Sequence, residues 1–135
     1  MSALHSFQIR RDPPFRPLLW LFGATQGRSR VELRGDALHT CFGWHQIEIP
    51  LDHVRAASRS QWAWYAGIGW RSNVRSILGL VGSYRGIVRL AIDPPVRVRL
   101  LAIPFGLRDL YVSLEDPDGF LEALYRERPD IERGP

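Results

Sequence analysis

The last predicted strand and helix, residues 109–128, constrain the fold more than any other stretch of the chain. In its first half, apolar residues alternate with other residues at the period of a half-buried strand: Leu110, Val112 and Leu114. Asp116 and Pro117 follow directly, and these residue types are typical of an N-cap and of the first position of a helix. The sequence therefore predicts a strand that passes at once into a short helix.

The predicted helix, residues 116–128, is amphipathic. Its apolar residues recur at helical spacing: Phe120, Leu121, Leu124 and Tyr125. Arg126 and Arg128 lie where the helix dipole favours cations, and Pro129 ends the helix. We expect this helix to cap an open β-sheet or barrel with its apolar face.

Upstream of this helix, the clearest β pattern is an antiparallel meander over residues 30–50. Val31 and Leu33 alternate with charged residues, Gly35 and Asp36 indicate a turn, and a return strand follows. The return strand has one apolar face (Leu38, Thr40 and Phe42), and a third strand carries Ile47 and Ile49. Short strands at this spacing, joined by tight turns, predict a mainly β domain.

Further strands are predicted at residues 6–10, 87–93 and 96–101, with Pro94 and Pro95 separating the last two. Residues 51–54 are predicted to form a single helical turn. No linker divides the 135 residues, so we expect one domain over residues 1–135. Within it, residues 1–27 form an N-terminal edge strand and an apolar segment, and residues 116–128 form the C-terminal capping helix.

Two kinds of observation carry a resemblance. About seven antiparallel strands followed by one C-terminal helix resemble the pleckstrin-homology-like barrel. Three stretches resemble a family of uncharacterised, mostly actinobacterial proteins: RPLLWLFGATQGRSRVELRGDALHTCFGWHQIEIPLDHV, WYAGIGWRSNVRSILGLVGSYRGIVRLAI and LYVSLEDPDGFLEAL. The resemblance implies a bacterial pleckstrin-homology-like domain, and it implies no reaction and no catalytic residue.

Composition narrows the functional classes. All 18 basic residues are arginine, and the net charge is +4. The absence of lysine is explained first by the codon usage of a GC-rich genome, and the alternative explanation is an arginine surface for phosphates. Because the arginines are scattered, nucleic acid is not an expected partner. The single Cys41 excludes an intrachain disulfide, and no signal-peptide pattern is present, so a cytosolic protein is expected, with a peripheral membrane location as the alternative.

Two sets of residues are candidates for binding. The first is an aromatic patch for a protein partner: Trp62, Trp64, Tyr65, Trp70 and Arg71. The alternative is that the tryptophans, which share one parity along an extended strand, face the protein interior. The second is a set of outward arginines for anions: Arg30, Arg34, Arg89, Arg97 and Arg99.

Catalytic and metal chemistry have little support in the sequence. His39, Cys41 and His45 are near one another along the chain, but they lack the spacing of known metal sites, and no catalytic residue, metal or cofactor is assigned. The sequence therefore predicts a non-enzymatic protein- or peptide-binding module, with self-association as one mode. One alternative is peripheral binding to anionic lipid through arginine and tryptophan. The other is a small metal-binding protein or hydrolase that uses His39, Cys41 and His45.

Overall fold

The computed structural model describes residues 4–9, 29–34, 36–42, 45–60, 69–72, 77–81, 83, 86–100 and 103–132. The described strands are β1 (Leu4–Gln8), β2 (Ser29–Arg34), β3 (Ala37–Phe42), β4 (His45–Pro50), β5 (Val54–Arg59), β6 (Gly69–Ser72), β7 (Ile77–Val81), β8 (Ile87–Leu100) and β9 (Ile103–Ser113). A 3₁₀ turn (Leu51–His53) lies between β4 and β5, and helix α1 (Pro117–Glu127) follows β9.

The strands form two sheets. The first is an antiparallel meander in the order β1-β2-β3-β4. The second has the order β5-β8-β9-β7-β6, and its β7–β9 pair is parallel while its other pairs are antiparallel. Strands β7 and β8, which are consecutive in the chain, are therefore not neighbours in the sheet, because β9 lies between them. The prediction of a mainly β protein with a C-terminal helix is confirmed, whereas the prediction of purely antiparallel pairing is wrong at this one pair.

Strand β8 also corrects the sequence analysis, because it runs through Pro94 and Pro95 instead of ending there. Between Ala91 and Val96 the pairing with β9 is interrupted, and the Asp93–Pro94 peptide bond is cis. Proline has no N–H to donate to a neighbouring strand, so a strand tolerates prolines where its pairing is interrupted, as it is here. The separate strands predicted on the two sides of the prolines are therefore one long strand. With nine strands in the described part of the chain, the expected number of about seven was too low.

The core lies between the sheets and α1. The predicted alternation of the meander is confirmed, since Leu38, Thr40 and Phe42 are fully buried. From the helix, Phe120 and Leu124 are fully buried, and the Phe120 ring meets Phe7 edge to face at 5.4 Å. Burying each such side chain stabilises the fold by about 1.5–3 kcal/mol.

Helix α1 begins as the sequence predicts. Asp116 is the N-cap, and its carboxylate accepts a hydrogen bond of 3.0 Å from the backbone N–H of Gly119. Pro117 occupies the first turn, where a missing N–H costs nothing. At the other end, the Tyr125 hydroxyl donates to the carbonyl of Ala57, which fastens the helix to β5.

Two sheet ends are covered from within the chain. Ile9, just past β1, forms a bridge with Leu114 at the end of β9, which links the two sheets. Beyond α1, Glu132 pairs with the outer side of β5: its N–H donates to the carbonyl of Arg55, and its carbonyl accepts from Ala57. These contacts satisfy backbone groups that an edge strand would otherwise expose.

Candidate functional site: an arginine ribbon and a sheet edge

The first candidate surface is where β8 and β9 continue beyond their neighbouring strands. Strand β5 pairs with β8 only as far as Ile92, and β7 pairs with β9 only from Asp109 onward. Among the described residues, the part of β8 from Val96 to Leu100 therefore pairs only with β9, opposite residues 103–107. We call this two-stranded part, residues 96–100 and 103–108, the outer ribbon.

The two faces of the outer ribbon differ. Leu107 is fully buried, and Val96 opposite it packs against the core, so this face is turned inward. Arg97 pairs with Gly106 and Arg99 with Pro104, and these residues alternate with the inward ones. Arg108 lies two residues from Gly106 on β9 and is exposed. The positions of three arginines therefore share the outward face: Arg97, Arg99 and Arg108.

Ion pairing distinguishes Arg97 and Arg108 from the other described arginine side chains. The structure describes eight arginine side chains, and six of them are ion-paired with a carboxylate. The six pairs are Arg30–Glu32, Arg55–Asp93, Arg59–Asp118, Arg89–Asp109, Arg126–Glu122 and Arg128–Asp130. Neither Arg97 nor Arg108 has an ion pair with a described residue. Both of these unneutralised cations belong to the outward face of the outer ribbon.

The five arginines predicted to bind anions do not form a single stripe. Arg30 and Arg34 lie on β2 in the first sheet, whereas the other three lie on β8 in the second. Arg30 donates to Glu32 at 2.9 Å, and this hydrogen bond raises the pKa of the Arg30 guanidinium above its ordinary value. Arg89 donates to Asp109 at 2.9 Å through Nε. Of the predicted set, only Arg97 and Arg99 lie together on the outer ribbon.

Sequence reasoning missed Arg108. The sequence analysis predicts no strand between residues 101 and 109, whereas the structure places Arg108 on β9. A signal was present, because residues 94–108 contain three arginines and no acidic residue. The acidic residues that flank residues 94–108 in the sequence form ion pairs with other arginines: Asp93 with Arg55 and Asp109 with Arg89.

The second candidate surface is the outer edge of β6. This strand carries Trp70 and Arg71 of the predicted partner-binding set, and it pairs with β7 on its inner side. No strand in the described part of the chain pairs with its outer side. Trp62, Trp64 and Tyr65 lie outside the described residues, so the choice between a surface patch and a buried face stays open for them.

The histidine and cysteine positions divide between two faces of the first sheet. His39 and Cys41 alternate with Leu38, Thr40 and Phe42, so they lie on the other face of β3, where His39 is half-buried and Cys41 is buried. His45 is in register with Phe42, which places it on the opposite face from Cys41. Among the described residues, no three histidine, cysteine or acidic side chains are grouped to hold a metal ion.

Comparison with protein-family models, with curated proteins and with solved structures gives no match for this chain. The family resemblance noted in the sequence therefore stays a prediction. Over the described residues, the structure contains no helix that is both long and apolar enough to cross a membrane.

Proposed function

We propose that this protein is a non-enzymatic protein-binding module that associates with a second copy of itself through the edge of β6. The observation that carries the proposal is which edge strands of the two sheets are covered by other parts of the chain and which are not. The outer side of β5 is covered by Glu132, and β1 is linked to β9 through Ile9. Within the described residues, β6 and β4 are the end strands without such cover.

The two uncovered edges differ in how well they suit strand addition. Strand β4 has Glu48 exposed and ends at Pro50, which has no N–H to offer. Charged residues and proline are features that protect natural edges from pairing. Strand β6 has the sequence GWRS, which contains one charged residue, Arg71, as β4 contains Glu48, but no proline. An added strand therefore meets fewer obstacles at β6 than at β4.

The sequence of β6 also suits pairing with itself. Two copies of β6 can pair antiparallel in a register that uses all four residues of each strand. In this register Trp70 of each copy lies opposite Arg71 of the other, so the same contact occurs twice. Aromatic and arginine residues are enriched in interface hot spots, and a guanidinium is attracted to an indole face. The same edge also suits an extended peptide from another protein.

The experiment that tests this proposal is light scattering coupled to size exclusion over a range of protein concentrations. We expect a concentration-dependent dimer for the wild type and a weaker dimer for Arg71→Glu. The matched control is Arg126→Glu, which makes the same charge change on an exposed helix residue and leaves the dimer intact. Amide hydrogen exchange over residues 69–72 slows with concentration if β6 is the paired strand.

A wild type that stays monomeric at every concentration would contradict self-association. Equal weakening by the two substitutions would show a general charge effect instead of a contact at β6. The pleckstrin-homology-like plan of the domain also belongs to this proposal, and its support is a mainly β chain that ends in one helix. The cytosolic location belongs to it as well, and its support is the composition.

A further inference from the structure

We propose that the outer ribbon is a second binding surface and that its ligand is an extended acidic peptide segment with carboxylates at alternate positions. The inference rests on the outward face of residues 96–100 and 103–108 and is independent of β6. Its three supports are the unneutralised arginines, their spacing and the backbone edges of the ribbon.

The first support is charge. Arg97 and Arg108 have no ion pair within the described structure, whereas the other six described arginine side chains do. The nearest acidic residues along the chain, Asp93 and Asp109, are already bound to other arginines. The face therefore has positive charge that the described part of the fold does not compensate, and a ligand of opposite charge complements it.

The second support is spacing. Arg97 and Arg99 are two residues apart on one strand, which separates their positions by about 6.6 Å. Alternate residues of any extended peptide have the same separation and lie on one face. Acidic residues at alternate positions of an added strand would therefore lie opposite both arginines, and guanidinium groups bind carboxylates with two parallel hydrogen bonds.

The third support is the backbone. In the described structure, β5 pairs with β8 no further than Ile92, and β7 pairs with β9 only from Asp109 onward, so no described strand flanks the outer ribbon on either side. Strand addition uses such edges, with main-chain hydrogen bonds for affinity and alternate side chains for specificity. A lipid headgroup has no peptide backbone to use these edges. On the inward face of the ribbon, Leu107 is fully buried and is therefore not exposed for insertion into a membrane.

The test is fluorescence anisotropy with a short labelled peptide of alternating threonine and glutamate, added to the full-length protein. We expect binding that weakens with salt, since the arginines are exposed. A peptide of the same composition with its glutamates grouped together binds more weakly, because fewer carboxylates then lie on the arginine face. The same alternating peptide with a methyl group on every backbone amide also loses affinity, because neither of its edges can then donate hydrogen bonds to a strand.

Matched protein variants locate the site. The double substitution Arg97→Gln/Arg108→Gln is expected to lower the affinity about tenfold, since it removes two of the three arginines on the outward face of the outer ribbon. The control is Arg59→Gln/Arg126→Gln, which makes the same change in net charge at two exposed arginines already paired with Asp118 and Glu122. The control is expected to bind the peptide as the wild type does, and circular dichroism checks that both variants are folded.

Three results would overturn the inference. The first is equal loss of affinity in the ribbon variant and the control, which shows that only net charge matters. The second is full affinity for the N-methylated peptide, which removes strand addition. The third is binding to phosphatidylserine vesicles or single-stranded DNA that depends on Arg97 and Arg108 while the peptide does not bind. That result would assign the face to a polyanion other than a protein.

Discussion

Truncation of Phe120 tests the central claim about the fold, which is that α1 completes the core. Phe120 is fully buried on the helix face turned to the sheets, and its ring meets Phe7 edge to face at 5.4 Å with an interplanar angle of 86°. Phe120→Ala removes the ring and leaves a cavity. Substitutions of this kind in other cores cost about 3–5 kcal/mol, and the aromatic pair is part of that loss.

The expected effect is large against the whole stability of a domain, which is about 5–15 kcal/mol. Taking a loss of about 4 kcal/mol and a urea dependence of roughly 1.5 kcal/mol per molar, the unfolding midpoint falls by about 2.5 M. The assay is urea unfolding followed by circular dichroism and by tryptophan fluorescence. If Phe120→Ala is already unfolded in buffer, Phe120→Leu retains most of the apolar volume and keeps the measurement possible.

The control is Glu122→Ala on the same helix, because Glu122 is exposed and pairs only with Arg126 in the next turn. Its loss is expected to cost about 0.3–0.5 kcal/mol. A Phe120→Ala variant that loses less than about 1 kcal/mol would refute the argument, because a removable ring is not part of a packed core. A double-mutant cycle with Phe7→Leu measures the ring contact itself, expected at about 0.5–1.5 kcal/mol.

Three further predictions concern residues at or near the ends of α1. The Arg128 guanidinium donates a hydrogen bond to Asp130 and so lowers the pKa of the Asp130 carboxyl in the folded state. The stability that results is fully present above the ordinary pKa of an aspartate. It is lost as the pH falls through the lowered pKa of the folded state. We therefore expect the wild type to have a higher urea midpoint than Asp130→Asn at pH ~7, and we expect this difference to vanish at pH ~2. A difference that is the same at both pH values would contradict the role of the Asp130 carboxylate. At the other end, Asp116→Ala is expected to cost about 1 kcal/mol in thermal or urea unfolding, and an unchanged midpoint would show that the cap is not formed in solution. Because a Cβ on Gly119 would overlap the Asp116 carboxylate, Gly119→Ala is expected to stabilise the Asp116→Ala variant by about 1 kcal/mol and the wild type by less.

Much of the local structure could be predicted from the sequence, because strand alternation and helix capping depend on residues close together in the chain. The buried face of β3 follows from a period of two, and Asp116 caps the helix through a group three residues away. The candidate site was only partly predictable. The sequence predicts Arg97 and Arg99 as outward residues of one strand, whereas Arg108 lies between the strands that the sequence predicts.

What the sequence by itself determined is which residues alternate, where the helix begins and which side chains avoid water. Only the tertiary structure decided which strands are neighbours, as in the parallel β7–β9 pair and the pairing of Glu132 along β5. It also decided which arginines are neutralised, because Arg55–Asp93 and Arg59–Asp118 join residues 38 and 59 positions apart. A local hydrophobic period carries no information about such distant partners, since strand order and ion pairing depend on how the whole chain packs around one core.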